Sequence, residues 1–269
     1  MNANTKIIFS DLDETLLTKD KIVTERTKAA VRAIQKAGYI FVPCTGAPYD
    51  IQINRLNDMG IKYIITSNGG FIYDIENNEA LHYNSIGSSL VQKIYDLSDN
   101  YIDDYEFHLG TISKKMRQEG LVIQDMLNQS IVPQICVFAR GMDKIPQLRE
   151  FLKILKDFAS QNGLNIANYS KVLDDDRFAG EVHKGFIGYD IVKDGISKGS
   201  GITKFCEIFD IDMANTIAIG DGFNDVAMFK AAGYSVAMGN SLDKVKQMAN
   251  HVTDTNNNDG VAKFLESLL

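Results

Sequence analysis

The chain is poor in the residues that build disulfide frameworks and imidazole metal centres: its 269 residues include three cysteines and four histidines. Cys44, Cys136 and Cys206 are odd in number, and each sits among apolar neighbours. That suits reduced, buried thiols better than a disulfide framework or a metal cluster. His82, His108, His183 and His251 lack metal-ligand spacing and are assigned no chemistry. Positive charge is the scarcer sign, with 28 lysines and arginines against 35 aspartates and glutamates, a net charge of -7 and a pI near 5.1. This balance argues against sequence-independent binding to nucleic acid or to an anionic membrane, both of which need concentrated basic residues. No apolar run approaches the roughly 18 residues of a membrane-spanning helix, and the first residues lack the apolar core of a signal peptide, so a cytoplasmic protein is expected. Repeats and low-complexity tracts are also missing. At 45% hydrophobic and 23% charged, the composition is that of an ordinary globular protein.

What the chain does have is two acidic clusters far apart in sequence, each directly after an apolar run. Asp11-Leu12-Asp13-Glu14-Thr15 follows Ile7-Ile8-Phe9, and Gly220-Asp221-Gly222-Phe223-Asn224-Asp225 follows Ile217-Ala218-Ile219. Short apolar runs that end in glycine and polar residues read as buried parallel strands, and ligands of open α/β sheets bind beyond the carboxyl ends of such strands. Carboxylates from both ends of the chain are therefore expected at one crevice. Held together they repel unless a cation sits among them, and a hard, oxygen-rich set suits Mg²⁺.

The pattern elsewhere predicts a βα rhythm. After the first strand come a helix over 24–37, a strand over 39–43, a helix from Pro48 to near Gly60, a strand over 63–66 and a hairpin over 71–83. From 84 to 189 the style changes, with helices expected over 88–101, 114–129 and 143–161 and strands over 134–139 and 164–169. The rhythm resumes with helices over 198–209, 225–232 and 241–250 and from 260, and strands over 216–219 and 234–237. The fold class expected is α/β. A Rossmann-like parallel-sheet core of residues 1–83 and 190–269 would be interrupted by an inserted α/β module, 84–189, serving as a lid.

Asp11, nearest the strand end, is the expected nucleophile, with Asp13 handling protons. Read alone, this loop could be a solvated turn with Asp13 or Thr15 as a local cap. Thr45-Gly46 offers a hydroxyl and a bare N–H to a phosphate oxygen, although Thr-Gly after a strand is more often a plain turn. Lys198 would offset negative charge beside the phosphate, but a lone lysine is ordinarily a surface residue. Asn224 or Asp225 could simply cap the next helix. Asn68 and the aspartates at 103–104 and 174–176 read better as turn and solvated loop residues, and Cys44 as packing. Joint occurrence in one order, each at a strand end or helix start, outweighs these separate readings.

Together the motifs resemble the haloacid dehalogenase-like phosphatases, and within them the Cof-type subfamily with an α/β cap between its second and third motifs. Residues 9–16 look like the first motif, Thr45-Gly46 the second, 196–199 the third and 219–225 the fourth; the segments 236–240 and 258–262 are similar to subfamily marks. The resemblance implies a Mg²⁺-dependent phosphatase of a small phosphorylated metabolite, of the sugar phosphate or cofactor phosphate class, working through an aspartyl-phosphate. It implies Asp11, Asp13, Thr45 and Lys198 as catalytic residues and Leu12, Thr45, Gly46, Lys198 and Asn224 around the phosphate. The metal residues would be Asp11, the Asp13 main-chain carbonyl, Asp221 and, beside them, Asp225. No nucleic-acid or membrane partner is expected, and monomer and dimer stay open. One departure stands out: Ala47 occupies the place where Cof-type members usually have arginine after Thr-Gly, which points to altered specificity, with a weakened enzyme as the alternative. A phosphomutase sharing the intermediate, a phospho-accepting signalling domain and a non-catalytic binding protein on the same fold are the competing readings.

Overall fold

The computed structural model of the chain describes residues 6–170, 173 and 186–269, so His183 and the aspartates at 174–176 lie outside the described residues. Contacts divide the chain into two compact units, Met1–His82 with Ser197–Leu269, and Tyr83–Ile196.

The first stretch runs β1 (Lys6–Ser10), α1 (Glu25–Lys36), β2 (Tyr39–Pro43), α2 (Tyr49–Gln52), β3 (Tyr63–Thr66), β4 (Phe71–Asp74) and β5 (Glu79–Tyr83). The insertion follows: α3 (Ser88–Ser98), β6 (Asp104–His108), β7 (Ser113–Lys115), α4 (Ile123–Leu127), β8 (Gln134–Arg140), α5 (Ile145–Gln161), β9 (Leu164–Tyr169) and β10 (Phe186–Lys193). The chain then returns with α6 (Lys198–Phe209), β11 (Thr216–Gly220), α7 (Val226–Ala231), β12 (Tyr234–Ala237), α8 (Asp243–Lys246), β13 (His251–Val252) and α9 (Gly260–Glu266).

In the first unit a parallel sheet has the order β13-β12-β11-β1-β2. Its central strand explains the unbroken apolar run: Ile7 and Phe9 face one helix layer with Ile202, Phe205 and Met228, while Ile8 faces the other with Val31, Ile34, Val261 and Leu265. With both faces covered, alternation has no polar side to show. Each of these three residues is fully buried, and such burial stabilises by roughly 1.5–3 kcal/mol per side chain. Helix α1 follows its pattern, with the Thr24 hydroxyl accepting from the Thr27 N–H at 3.2 Å and Ala30, Val31 and Ile34 buried. Strand β3 pairs antiparallel with β4 in a separate three-stranded sheet and meets the end of β2 through the bridge Cys44–Ile65. The loop after β3 lies tight against the start of α6. Gly69, at φ +97, would place a Cβ 2.1 Å from the Ser197 carbonyl oxygen, so only glycine fits there.

The second unit is an antiparallel sheet of order β7-β6-β8-β10-β9. One face carries Tyr105, Phe107, Ile135, Val137, Ile187 and Tyr189 into a core with α3 and α5. The alternate positions are Asp104, Glu106 and His108 on β6, Gln134 and Cys136 on β8, and Gly188 and Asp190 on β10.

Several expected elements are different. The helix over 114–129 is instead β7, a turn and the short α4, because Ser113–Lys115 pairs with β6 and the Asp104 carboxylate takes the N–H groups of Arg117 and Gln118 at 2.7 and 3.1 Å. Asp104 is accordingly buried at the start of β6, not in a solvated loop. The expected helix from Pro48 to Gly60 stops as α2 plus a 3₁₀ turn, Ile53–Leu56, since Asp58 and Gly60 take left-handed backbone. The expected helix over 241–250 shrinks to α8.

Candidate active site

Parallel pairing settles where the acidic loops go. Ser10 on β1 is in register with Ile219 on β11, and the Asp11 N–H continues the ladder to the Ile219 carbonyl at 2.9 Å. Two loops far apart in sequence therefore leave adjacent strands side by side. On the other flank the Cys44 N–H donates to the Ser10 carbonyl at 2.8 Å, which puts Thr45 and Gly46 at the neighbouring strand end.

Lys198, on the first turn of α6, is 1% exposed and joins the loops. Its Nζ donates to Asp11 Oδ1 at 2.6 Å and to Asp225 Oδ1 at 2.5 Å. Asp225 Oδ2 accepts from the Asp221 and Gly222 N–H groups at 2.9 and 2.8 Å, so Asp225 braces its own loop instead of capping α7. Asp221 Oδ1 accepts from the Thr15 hydroxyl at 2.8 Å, a second tie between the loops. Carboxylate oxygens of Asp11, Asp221 and Asp225 all lie within 4.8 Å of one another.

Residues 8–265 match the family of haloacid dehalogenase-like hydrolases. The chain belongs to that family. Among relatives along nearly the whole length is the 5-amino-6-(5-phospho-D-ribitylamino)uracil phosphatase YitU of Bacillus subtilis, 28% identical over 99% of this chain and 98% of the relative. The pyridoxal phosphate phosphatase YbhA of Escherichia coli is 29% identical over 98% of this chain and 99% of its own. The fold is also that of a haloacid dehalogenase-like hydrolase from Bacteroides thetaiotaomicron, TM-score 0.79 at 24% identity, covering 98% of this chain and 100% of that one.

The electrostatics of this hydrolase's site follow from burial. The Asp11 carboxyl is pushed well above the usual range, first by burial; Lys198 opposes the shift, and Asp225 and Asp221 add to it. Burial is also the largest influence on Lys198 and pulls downward, but the Asp11 and Asp225 charges outweigh it and its ammonium is held. Three acids crowd around one ammonium, and an all-oxygen donor set of that charge fits a further hard divalent cation.

The other expected residues are placed as follows. Leu12 is buried at the start of the turn Leu12–Leu16, whose Leu17 N–H donates to the Leu12 carbonyl at 2.8 Å. Within that turn Glu14 takes φ +63. The Asp13 carboxylate meets Lys21 Nζ at 2.8 Å and Gln52 Nε2 at 3.0 Å. Thr45 is buried, and its hydroxyl accepts from the Ala47 N–H at 3.1 Å. Asn224 sits in the 3₁₀ turn Phe223–Asp225. Cys44 is buried and its thiol is pushed up by that burial, in keeping with packing.

Sequence reasoning missed three neighbours, Thr15, Lys21 and Gln52, and read a fourth, Asn68, as a turn residue, which it is. Asn68 is buried, its N–H donates to the Thr45 carbonyl at 3.1 Å, and a Cβ on Gly46 would fall 2.8 Å from its amide. Thr15, Lys21 and Gln52 also join the site through the bonds above. Only Thr15 lay within a motif, as the residue after the acidic pair; the rest carried no spacing signal.

Proposed function

We propose that this hydrolase is a Mg²⁺-dependent phosphatase of a small phosphorylated metabolite, of the sugar phosphate or cofactor phosphate class. The observation that carries the reading is Lys198 Nζ bridging Asp11 and Asp225 at 2.6 and 2.5 Å, with Asp221 beside them. The two relatives named for phosphorylated metabolites support the substrate class.

Asp11 is the nucleophile. A carboxylate oxygen forms a bond to phosphorus while the bond from phosphorus to the ester oxygen breaks, giving an aspartyl-phosphate. Asp13 gives a proton to the departing ester oxygen, then takes one from the water that attacks the aspartyl-phosphate, releasing inorganic phosphate and regenerating Asp11. Lys198 holds Asp11 in place and offsets phosphate charge, with Asp225 fixing the ammonium. Leu12, Thr45, Gly46 and Asn224 surround the phosphate. Asp11, the Asp13 carbonyl and Asp221 would hold Mg²⁺, braced by Asp225, and the ion supplies charge neutralisation to the transferring phosphoryl group. Ala47 is small where the resemblance leads one to expect arginine, so whichever substrate group that arginine would meet is met differently or is absent.

The test is hydrolysis of p-nitrophenyl phosphate with and without Mg²⁺. Turnover should require the ion and disappear in Asp11→Asn; a rate in that variant equal to the parent's would refute the mechanism. Release of inorganic phosphate separates hydrolysis from transfer within a phosphomutase, and a metabolite panel finds the preferred ester.

A further inference from the structure

The proton-handling carboxylate is itself held by a built arrangement. Asp13 receives a donor on each oxygen from two different segments: Lys21 Nζ on Oδ1 at 2.8 Å and Gln52 Nε2 on Oδ2 at 3.0 Å. Lys21 reaches it from a tight turn in which its own N–H donates to the Thr18 carbonyl at 2.9 Å, and its backbone lies in the left-handed region at φ +60. A lysine in that conformation costs of order 1 kcal/mol and persists only where its surroundings impose it. Gln52 ends α2, is 1% exposed, and presents its Oε1 to Arg55 Nη1 at 3.0 Å. That contact sets the amide orientation: with oxygen toward the guanidinium, the NH₂ must face Asp13. The Glu14 carbonyl, next in the chain, is tied to Asn240 Nδ2 at 2.8 Å.

We infer that Lys21 and Gln52 are positioning residues for Asp13, with Arg55 orienting Gln52. Resting on the phosphatase reading, this assigns them the aim of the general acid. Each carboxylate oxygen has two lone-pair directions, so it can accept from its clamp on one and carry the travelling proton on the other. A carboxyl free to turn about χ1 and χ2 spends little of its time in line with the ester oxygen, and small misplacements of catalytic groups are costly. The loss should therefore depend on how much the leaving group needs the proton. Phenolate leaves less readily than p-nitrophenolate and depends more on the acid.

The experiment compares kcat/KM for phenyl phosphate and p-nitrophenyl phosphate, a pair that differs in leaving group alone. In Lys21→Met and in Gln52→Met the phenyl ester should lose about tenfold more than the nitrophenyl ester, and Lys21→Arg should restore the ratio. Equal losses on both esters would mean a merely structural role and overturn the assignment. Crystal structures of the parent and of the Lys21→Met/Gln52→Met double variant give a reading independent of turnover: Asp13 should leave its parent rotamer, and an unchanged single rotamer overturns the clamp. If the parent hydrolyses neither ester, the phosphatase reading fails, while the rotamer comparison still decides the clamp.

Discussion

Two polar clusters, one in each unit, are assembled by opposite rules. The cluster of Asp11, Lys198, Asp221 and Asp225 lies beyond the ends of parallel strands, and its members come from loops and a helix start that adjacent strands deliver to one place. Glu106, His108, Gln134 and Cys136 sit within antiparallel strands, brought together by alternation and register, with Glu106 opposite Cys136 and His108 opposite Gln134. The first is charged. The second sets an imidazole, an amide and a thiol beside the Glu106 carboxyl: burial pushes the His108 pKa down to about 3 and holds the Cys136 thiol well above its usual range, with Asp190 and Glu106 adding to that. His108 Nε2 lies 3.5 Å from Cys136 Sγ, and Gln134 Nε2 donates to that sulfur at 3.1 Å. Strand ends can hold charge because backbone N–H groups and a cation are to hand there. A strand interior gives its backbone to the ladder, so a buried polar side chain there finds its partners among other side chains.

The contrast can be broken most sharply at Asp11. Asp11→Asn should cost at least about a thousandfold in turnover of p-nitrophenyl phosphate, whereas removing a member of the second cluster should leave the chemistry of the first in place. Next comes Lys198→Met, which leaves Asp11 and Asp225 buried without their ammonium. A broken buried pair costs about 3–5 kcal/mol, so the unfolding midpoint should drop by roughly 10 °C in calorimetry. A drop no larger than that of a surface lysine variant would mean that the cluster is not charged as described.

Thr15→Val probes the tie between the loops. Loss of the hydroxyl donor to Asp221 should weaken apparent Mg²⁺ activation by about tenfold, with turnover at saturating Mg²⁺ affected less; an unchanged activation curve would contradict it. The effect expected at His108 acts on stability, not on turnover, and depends on pH. Its folded pKa, about 3, lies below its ordinary 6.5, so the unfolded state binds the proton first as pH falls. The stability it contributes is present above about 6.5 and is lost progressively toward 3, amounting to roughly 2 kcal/mol by pH 5. Thermal unfolding from pH 7 to pH 5 should show a shallower slope in His108→Gln than in the parent; parallel slopes would exclude a neutral buried imidazole.

Much was legible in the chain alone because its signals are local. The runs Ile7-Ile8-Phe9 and Ile217-Ala218-Ile219 followed by carboxylates marked strand ends, and α1, α6 and β12 fall where side-chain periodicity and capping placed them. Residue type and position pointed to Asp11, Lys198 and Asp221, and the family resemblance added Asp225. Tertiary structure alone decided the rest. It turned Lys114 and Lys115, good helix formers, into a strand by offering them β6 as a partner. It buried Asp104 against the backbone amides of Tyr105, Arg117 and Gln118. And it brought Lys21 and Asn68 from turns, and Gln52 from the end of α2, to the site. The reason is the range of the interaction: periodicity and caps act within a few residues, while pairing partners and the donors for a buried carboxylate come from wherever the folded chain places them.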